Sequence, residues 1–243
     1  MQIWAMSDFH LSFSSNKPMN IFGEKWDNHD KKMLKNWDNL VKSNDVLICP
    51  GDISWALKLS EAKDDLKWIS ERPGLKILTR GNHDFWWSSI LKVRNAVAKN
   101  CIVLQNDAYD LGEVVVAGCR GWLTPDSLNF NEQDQKIYER ELLRLRMSLK
   151  AAKMLAPFKP IIVSIHYPPF TSRQDPTSFT EILNEFKVSI CVYGHLHGSI
   201  AHKTAVQGLV DGVFYKLVVC DFINFTPIKL WPFSKLIEKI YDE

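Results

Sequence analysis

Five short apolar segments recur along this chain, and each ends directly before a cluster of polar residues and glycine. The segments are residues 3–6, 46–49, 75–78, 161–165 and 190–193. Apolar runs of this length, rich in Val and Ile and followed by Gly, Pro or polar residues, predict buried strands. Open α/β sheets bind their ligands beyond the carboxyl ends of their strands. The pattern therefore favours a layered α/β fold that brings five loops together.

The clusters after these segments share one chemistry. They are Asp8-x-His10, Gly51-Asp52, Gly81-Asn82-His83-Asp84, His166 and Gly194-His195-x-His197. Only two of the 7 histidines lie outside this set. Histidine used so selectively beside aspartate indicates metal binding rather than packing. In an extended chain residues i and i+2 point to the same side, so each D-x-H or H-x-H pair can direct two ligands to one place.

In this order the clusters resemble the calcineurin-like metallophosphoesterases, whose pattern is D-x-H, G-D, G-N-H-[DE], H and G-H-x-H. Every block is present, and together the blocks span residues 8–197. One D-x-H alone would carry little weight, but five blocks in order are specific. Segments 52–55, 80–87 and 119–122 further resemble a group of bacterial predicted phosphohydrolases. The resemblance implies a four-layer α/β/β/α sandwich with two mixed sheets and a binuclear metal centre.

The resemblance also implies which residues bind the metal ions. One ion would be held by Asp8, His10, Asp52 and His197. The other would be held by Asp52, Asn82, His166 and His195, so that Asp52 bridges the two. Imidazole, carboxylate and amide ligands suit Mn²⁺, Fe or Zn²⁺, and the family favours manganese or iron. Two such ions clamp a phosphoryl group and activate a bridging hydroxide for attack.

Further residues outside the ligand set are expected to take part in catalysis. His83 would protonate the leaving group, with Asp84 orienting its ring and keeping it cationic. Arg120 and Arg80 are candidates to stabilise phosphate charge. Arg80 is the weaker candidate, because an arginine at a strand end can simply pair with a helix carboxylate. For Arg120 a role in the site and a role at the surface both remain open.

Two further features have two interpretations each. Several aromatic residues lie close to the motifs, and they either line a core or contact substrate. They are Trp55, Phe85, Trp86, Trp87 and Trp122. Residues 11–29 form a long polar segment without periodicity, which predicts either a functional lid or a disordered loop.

Helical periodicity appears between the predicted strands. It predicts helices over 30–43, 60–70, 86–99, 131–156 and 178–187. Strand-like runs follow at 209–210 and 213–221, and the last ten residues resemble a small amphipathic helix packed on the body. Alternating strands and helices predict one layered α/β domain over residues 1–243.

Composition narrows the setting. The chain has 243 residues, 46% of them hydrophobic, and a net charge of +2, which does not favour a nucleic-acid partner or an anionic membrane. The 5 cysteines lie in or beside apolar runs, as expected of reduced thiols in a cytoplasmic protein. The first predicted strand begins at residue 3, which leaves no room for a signal peptide, and no apolar run is long enough for a membrane span. The oligomeric state is not indicated.

The residues after Asp52 narrow the substrate class. Ser/Thr protein phosphatases of this superfamily read G-D-x-V-D-R-G, whereas this chain reads G-D-I-S-W-A-L over residues 51–57, with Ala56 at the position of the phosphate-binding arginine. We therefore expect hydrolysis of a phosphomonoester or phosphodiester in a small soluble molecule. The alternatives are a nuclease of the same superfamily and a metal-free scaffold that binds proteins.

Overall fold

The computed structural model describes residues 1–15 and 17–231, so the expected C-terminal helix lies outside the described residues. The described part forms eleven strands and six α-helices. Contacts between Cα atoms divide the chain into two compact units that alternate along the sequence. The first unit contains residues 1–78, 82–103 and the chain from Val218, and the second contains 79–81 and 104–217. A single domain over 1–243 stays a prediction.

The first unit is built on a five-stranded mixed sheet. Numbered along the chain, its strands are β1 (Ile3–Ala5), β2 (Val46–Cys49), β3 (Leu75–Leu78), β4 (Cys101–Val103) and β11 (Ile228–Trp231). Their order is β11-β1-β2-β3-β4, with β1 to β4 parallel and β11 antiparallel to β1. In the register, Ala5 pairs with Ile48 and Ile48 pairs with Ile77. The loops after β1, β2 and β3 therefore leave the sheet at one edge.

Up to residue 231, this unit contains the helices α1 (His29–Leu40), α2 (Lys63–Ser70) and α3 (Ile90–Ala96). Parallel strands need crossover connections, and these are usually helical. Helix α1 buries Met33 and Trp37, and the Trp37 indole N–H donates to the carbonyl of Pro73 over 3.1 Å. The ring of Trp37 also packs against Phe9, with centroids 5.7 Å apart. The loop after β1 is thereby anchored in the core.

The second unit is built on a six-stranded mixed sheet. Its strands are β5 (Ala108–Asp110), β6 (Val115–Cys119), β7 (Ile161–Ile165), β8 (Ile190–Tyr193), β9 (Gly208–Val210) and β10 (Val213–Leu217). The order is β5-β6-β7-β8-β10-β9, with the four central strands parallel and the two edge strands antiparallel. Its helices are α4 (Glu132–Leu155), α5 (Ser178–Glu185) and α6 (Gly198–His202).

The long helix α4 begins at a capping box. The Asn131 side chain accepts from the N–H groups of Gln133 and Asp134, and the Asp134 carboxylate accepts from the Asn131 N–H in return. Such a box satisfies donors that the first turn of a helix leaves without partners. Asp134 also accepts the indole N–H of Trp122 over 3.0 Å, which fixes the loop after β6 to the start of α4.

The predicted α/β class with two mixed sheets is confirmed, and so are helices near 30–43, 60–70, 131–156 and 178–187. The helix expected over 86–99 is shorter than predicted. Trp86 and Trp87 enter the core, and α3 begins only at Ile90. Among the described residues of 11–29, two short 3₁₀ helices bury Met19 and Trp26. Action of this segment as a lid stays a prediction.

Among the described residues, no helix combines the length and apolarity needed to cross a bilayer.

Candidate metal centre

In the first unit, the loops after β1 and β2 are joined through their main chains. The N–H of Asp8 donates to the carbonyl of Gly51, and the N–H of His10 donates to the carbonyl of Asp52, both over 3.0 Å. Asp8, His10 and Asp52 all have left-handed backbone, with φ of 59°, 47° and 52°. Asp and His enter this region more readily than most residues, and clusters of such conformations are typical of functional sites. The main chain thus turns these three side chains toward a common place.

The three side chains form a buried cluster of metal-binding groups. His10 Nε2 lies 3.7 Å from Asp52 Oδ2, and Asp8 offers an oxygen within 4.8 Å of a ligand atom of each. Asp8 and Asp52 are only 0% and 1% exposed. Two ionised carboxylates so close together and so well buried are costly unless a cation compensates them. Their chemistry therefore fits a divalent metal ion.

Asp84 holds the turn that carries Asp52. Its carboxylate accepts the N–H groups of Asp52, Ile53 and Ser54 at 2.9 to 3.2 Å, and also the indole N–H of Trp86 at 2.9 Å. The side chain is 0% exposed. The expected orientation of the His83 ring by Asp84 stays a prediction.

His83 lies directly beside the Asp52 carboxylate. Its N–H donates to Asp52 Oδ1 over 2.8 Å, and its ring lies 4.4 Å from the ring of Trp55 and 5.6 Å from that of His10. The ring is half-buried, as is the neighbouring Asn82. His83 is therefore well placed to meet a group bound near the carboxylates.

The aromatic residues near the motifs divide into two groups. Trp86 and Trp87 belong to the core, whereas Trp55 is half-buried and stacks on the His10 ring with centroids 4.8 Å apart and planes at 22°. Phe85 is 55% exposed and approaches His83 edge-on. The core interpretation thus holds for one pair, and Trp55 and Phe85 remain able to touch a ligand.

In the second unit, the turns after β7 and β8 bring two histidines together. His166 is fully buried, and its ring centroid lies 5.2 Å from that of His195. The N–H of Gly194 donates to the carbonyl of His166 over 3.0 Å. His195 has φ of 73°, and His197 occupies the N-cap position of α6. This unit therefore presents imidazole ligands on two adjacent turns.

Arg120 supports this histidine turn through its main chain. Its carbonyl accepts the N–H groups of both His166 and Tyr167, at 3.1 and 3.0 Å. Its guanidinium lies 3.6 Å from Glu141 and 4.3 Å from the ring centroid of Trp122. Burial lowers the pKa of Arg120, the charge of Glu141 opposes this, and that of Arg80 adds to it.

Glu141 was missed from the sequence. It is 0% exposed on α4, 2.8 Å from Arg144 and 3.6 Å from both Arg120 and Arg140. It follows Tyr138 by three residues and precedes Leu145 by four, so it lies on the buried face of the helix. A charged residue on an apolar helical stripe was the signal that could have revealed it.

Comparison with known proteins decides the family. The sequence pattern of the family described as Calcineurin-like phosphoesterase matches residues 1–199. The chain belongs to the calcineurin-like phosphoesterase family. The family is one of metal-dependent phosphoesterases, and Asp8, His10 and Asp52 of this chain are candidate ligands for a metal ion.

Curated relatives match this chain over a limited region. The Gene 66 protein of Mycobacterium phage L5 is 35% identical over 81 residues, which is 33% of this chain and 39% of the phage protein. The Gene 66 protein of Mycobacterium phage D29 is 34% identical over 34% of this chain and 40% of its own length. The matched region thus spans about two fifths of each phage protein.

Solved structures share the fold of this chain over nearly its whole length. Phosphopantetheinyl hydrolase (PptH) from Mycobacterium tuberculosis has a TM-score of 0.60 and 14% identity, covering 95% of this chain and 96% of its own. A protein of unknown function from Aquifex aeolicus has a TM-score of 0.50 and 15% identity, covering 97% and 98%. At these identities the likeness concerns the fold alone.

Proposed function

We propose that this phosphoesterase uses two divalent metal ions to hydrolyse a phosphomonoester or phosphodiester bond of a small soluble molecule. The observation that carries the proposal is the buried carboxylate pair Asp8 and Asp52, set beside His10 in a chain that bears all five family motifs in order. A neutral pair of residues would stabilise the fold better than two buried carboxylates do, so the carboxylates indicate a bound cation.

The proposed ligands are those of the family pattern. Asp8, His10, Asp52 and His197 would hold one ion, and Asp52, Asn82, His166 and His195 the other. Manganese or iron suits this mixture of carboxylate, imidazole and amide ligands, and zinc is also compatible with it. When bound, such ions neutralise charge on the phosphate oxygens and lower the pKa of a coordinated water.

The remaining chemistry belongs to side chains around the carboxylates. His83 donates a proton to the leaving-group oxygen, which its position next to Asp52 supports. Asp84 acts as a positioning residue for the Asp52 turn, because its carboxylate binds three consecutive N–H groups there. Arg120 stabilises phosphate charge, with Glu141 holding its guanidinium.

The residue at position 56, shortly after Asp52, favours a small substrate over a phosphoprotein. Ala56, at the position of the phosphate-binding arginine of protein phosphatases, is 1% exposed and packs in the core. The near-neutral net charge of +2 gives little attraction to nucleic acid. All 5 cysteines are free and buried, which suits the cytoplasmic location that we propose.

Metal analysis tests the centre. Protein purified without chelator and supplied with Mn²⁺ should contain about two ions per chain, the number in a two-metal site. Asp52→Asn should lose both, because a neutral amide bridges poorly, whereas Asp64→Asn, an exposed carboxylate of α2, should keep both. Two retained ions and full activity in Asp52→Asn would contradict the proposed bridge.

A substrate screen on the reconstituted protein tests the class. We expect turnover of p-nitrophenyl phosphate or its bis ester and little release of phosphate from phosphoserine peptides. Single-stranded and duplex oligonucleotides test the nuclease alternative, and metal-free protein without any turnover would favour the scaffold alternative. Efficient hydrolysis of phosphopeptides alone would reverse the proposed ranking.

A further inference from the structure

A cavity of about 150 Å³ opens within the second unit, next to one of the proposed metal ligands. His195 forms part of its wall, together with Trp122, Tyr167, Phe170, Tyr193 and Val206. A cavity of this volume is large enough to hold a benzene ring. Because His195 is a proposed ligand, whatever occupies the cavity would lie beside the phosphate-binding end of the site.

The aromatic walls of this cavity are held in place by contacts behind them. Tyr167 packs on His195 with ring centroids 4.2 Å apart, and Trp122 lies 5.3 Å from Tyr167. The Tyr193 hydroxyl donates to the carbonyl of Val206 over 2.7 Å, and Phe170 meets Tyr215 edge-on at 4.7 Å. Walls fixed in this way can select an occupant by shape.

The wall carries no Asp, Glu, Lys or Arg side chain among the described residues that line it. Three of its hydroxyl groups donate hydrogen bonds to residues that do not line the cavity. Those of Thr124 and Ser172 donate to Asp126, and that of Thr204 donates to the carbonyl of Ala201. A charged group placed here would lose its hydration without meeting an Asp, Glu, Lys or Arg side chain in the wall, which is costly. The cavity therefore suits an uncharged and mainly apolar group.

We propose that this cavity binds the alcohol part of the substrate, and that this part is a compact, uncharged aromatic or aliphatic group. The inference rests on the proposed phosphoesterase function and narrows its substrate class. It places specificity in the loops after β6, β7 and β8, on the same side as the imidazole of His195. Esters whose alcohol would bring a carboxylate or an ammonium group into the cavity would be poor substrates.

A binding experiment tests the cavity without any reaction. Chelator-treated protein is titrated with benzyl alcohol, and binding is followed by tryptophan fluorescence and by NMR of labelled threonine methyl groups. We expect saturable shifts at Thr124 and Thr204, which line the cavity. Val206→Phe fills the cavity and should weaken binding by about tenfold or more, in line with the effect of a methylene-sized change in an apolar pocket.

Leu209→Phe is the matched control for that variant. Leu209 is 50% exposed on β9 and does not line the cavity. Its substitution introduces the same phenyl ring as Val206→Phe. The control should bind benzyl alcohol like the unchanged protein, and both variants should keep their melting temperatures. Equal binding of benzyl alcohol by Val206→Phe and the unchanged protein would overturn the proposal. Binding without NMR shifts of the Thr124 and Thr204 methyl groups would also overturn it.

A kinetic experiment then separates the cavity from the catalytic proposal. Butyl phosphate, aminobutyl phosphate and phosphorylated hydroxybutyrate have alcohols of equal chain length, with the charge held away from the reacting oxygen. We expect kcat/KM to be about 10- to 200-fold higher for the butyl ester, and Val206→Phe to remove that preference.

The two failures look different. Equal hydrolysis of all three esters would overturn the cavity proposal while supporting the phosphoesterase function. Saturable binding of benzyl alcohol at the cavity, with no ester hydrolysed by metal-loaded protein, would overturn the function and keep the cavity as a binding site.

Discussion

At the scale of single residues, His83 and Asp84 are adjacent in sequence but differ in surroundings. His83 is half-buried beside Asp52, whereas Asp84 is fully buried under the turn that carries Asp52. A neighbouring pair with one residue facing a site and the other supporting the backbone should respond differently to substitution.

His83→Ala should keep its metal and lose activity according to the leaving group. A general acid contributes roughly 10²–10⁴ in rate, so turnover of alkyl phosphates should fall by about that factor. Esters of p-nitrophenol need less protonation and should be slowed less. His166→Ala, the comparison variant, should lose metal and activity for every ester. Equal slowing of both ester classes by His83→Ala would assign His83 to phosphate binding instead.

Asp84→Asn should lower stability more than it alters chemistry. The amide keeps one acceptor oxygen for four buried donors, so we expect a loss of about 2–4 kcal/mol in the free energy of unfolding by urea. Metal content should fall as the Asp52 turn loosens. Asp64→Asn, at an exposed position on α2, should change stability by less than about 0.5 kcal/mol. An unchanged urea midpoint in Asp84→Asn would show that the network is not needed.

At the scale of elements, Gly118 on β6 is a position where the neighbouring strand leaves no space for a side chain. A Cβ at this position of β6 would lie 2.3 Å from the Ser164 carbonyl oxygen on β7 and 2.9 Å from Thr79 Cγ2. Because backbone cannot move aside cheaply, Gly118→Ala should lower the free energy of unfolding by about 3 kcal/mol. Gly112→Ala has open space and only an unfavourable φ of 94°, so about 1 kcal/mol is expected there. Equal melting temperatures would contradict the steric argument.

Elements with strong periodicity or long apolar runs were predictable, whereas the missed strands β5 and β11 lack such a signal. The strands β1, β2, β3, β7 and β8 match the predicted apolar segments. Strand β5 has three residues and an aspartate, and β11 pairs at an edge through a lysine-containing segment, so their pairing depends on the folded sheet. For β6 the signal existed, since residues 114–117 are continuously apolar and buried.

The candidate site was predictable as a set of residue types but not as a set of contacts. Sequence order indicated the proposed ligands, because each follows a predicted strand. The partners of Asp84 on the Asp52 turn are 30 or more positions away from it in sequence. Glu141 is 21 positions away from Arg120. Both pairings depend on which groups the fold brings within reach. Such distant pairings leave no periodic trace in one sequence.

At the scale of the whole molecule, the reactivity of the cysteine thiols can show whether the chain unfolds cooperatively. Cys49, Cys101 and Cys220 belong to the first unit, and Cys119 and Cys191 to the second. Burial raises the pKa of each thiol, that of Cys101 to about 11, which removes the reactive thiolate near neutral pH. Reaction with a thiol reagent should therefore require unfolding.

If residues 1–243 form one cooperative domain, all five thiols should become reactive together as urea is raised. Peptide mapping after pulsed alkylation measures each site separately, and fully denatured protein, in which all 5 cysteines react, sets the end point. Labelling of Cys119 and Cys191 at a different urea concentration from the other three would show that the two units unfold separately. Labelling in the absence of urea would contradict the burial described here.

The left-handed backbone of Asp8, His10, Asp52 and His195 determines which replacements are informative at these positions. Alanine removes the ligand and also disfavours the turn, by roughly 1–2 kcal/mol per residue, so an alanine variant confuses lost coordination with a displaced main chain. Asparagine tolerates the same φ and has nearly the shape of aspartate. Exchange to asparagine therefore tests the loss of a proposed metal ligand with less disturbance of the main chain. Among random variants selected for folded protein, we expect asparagine and glycine at these four positions more often than alanine.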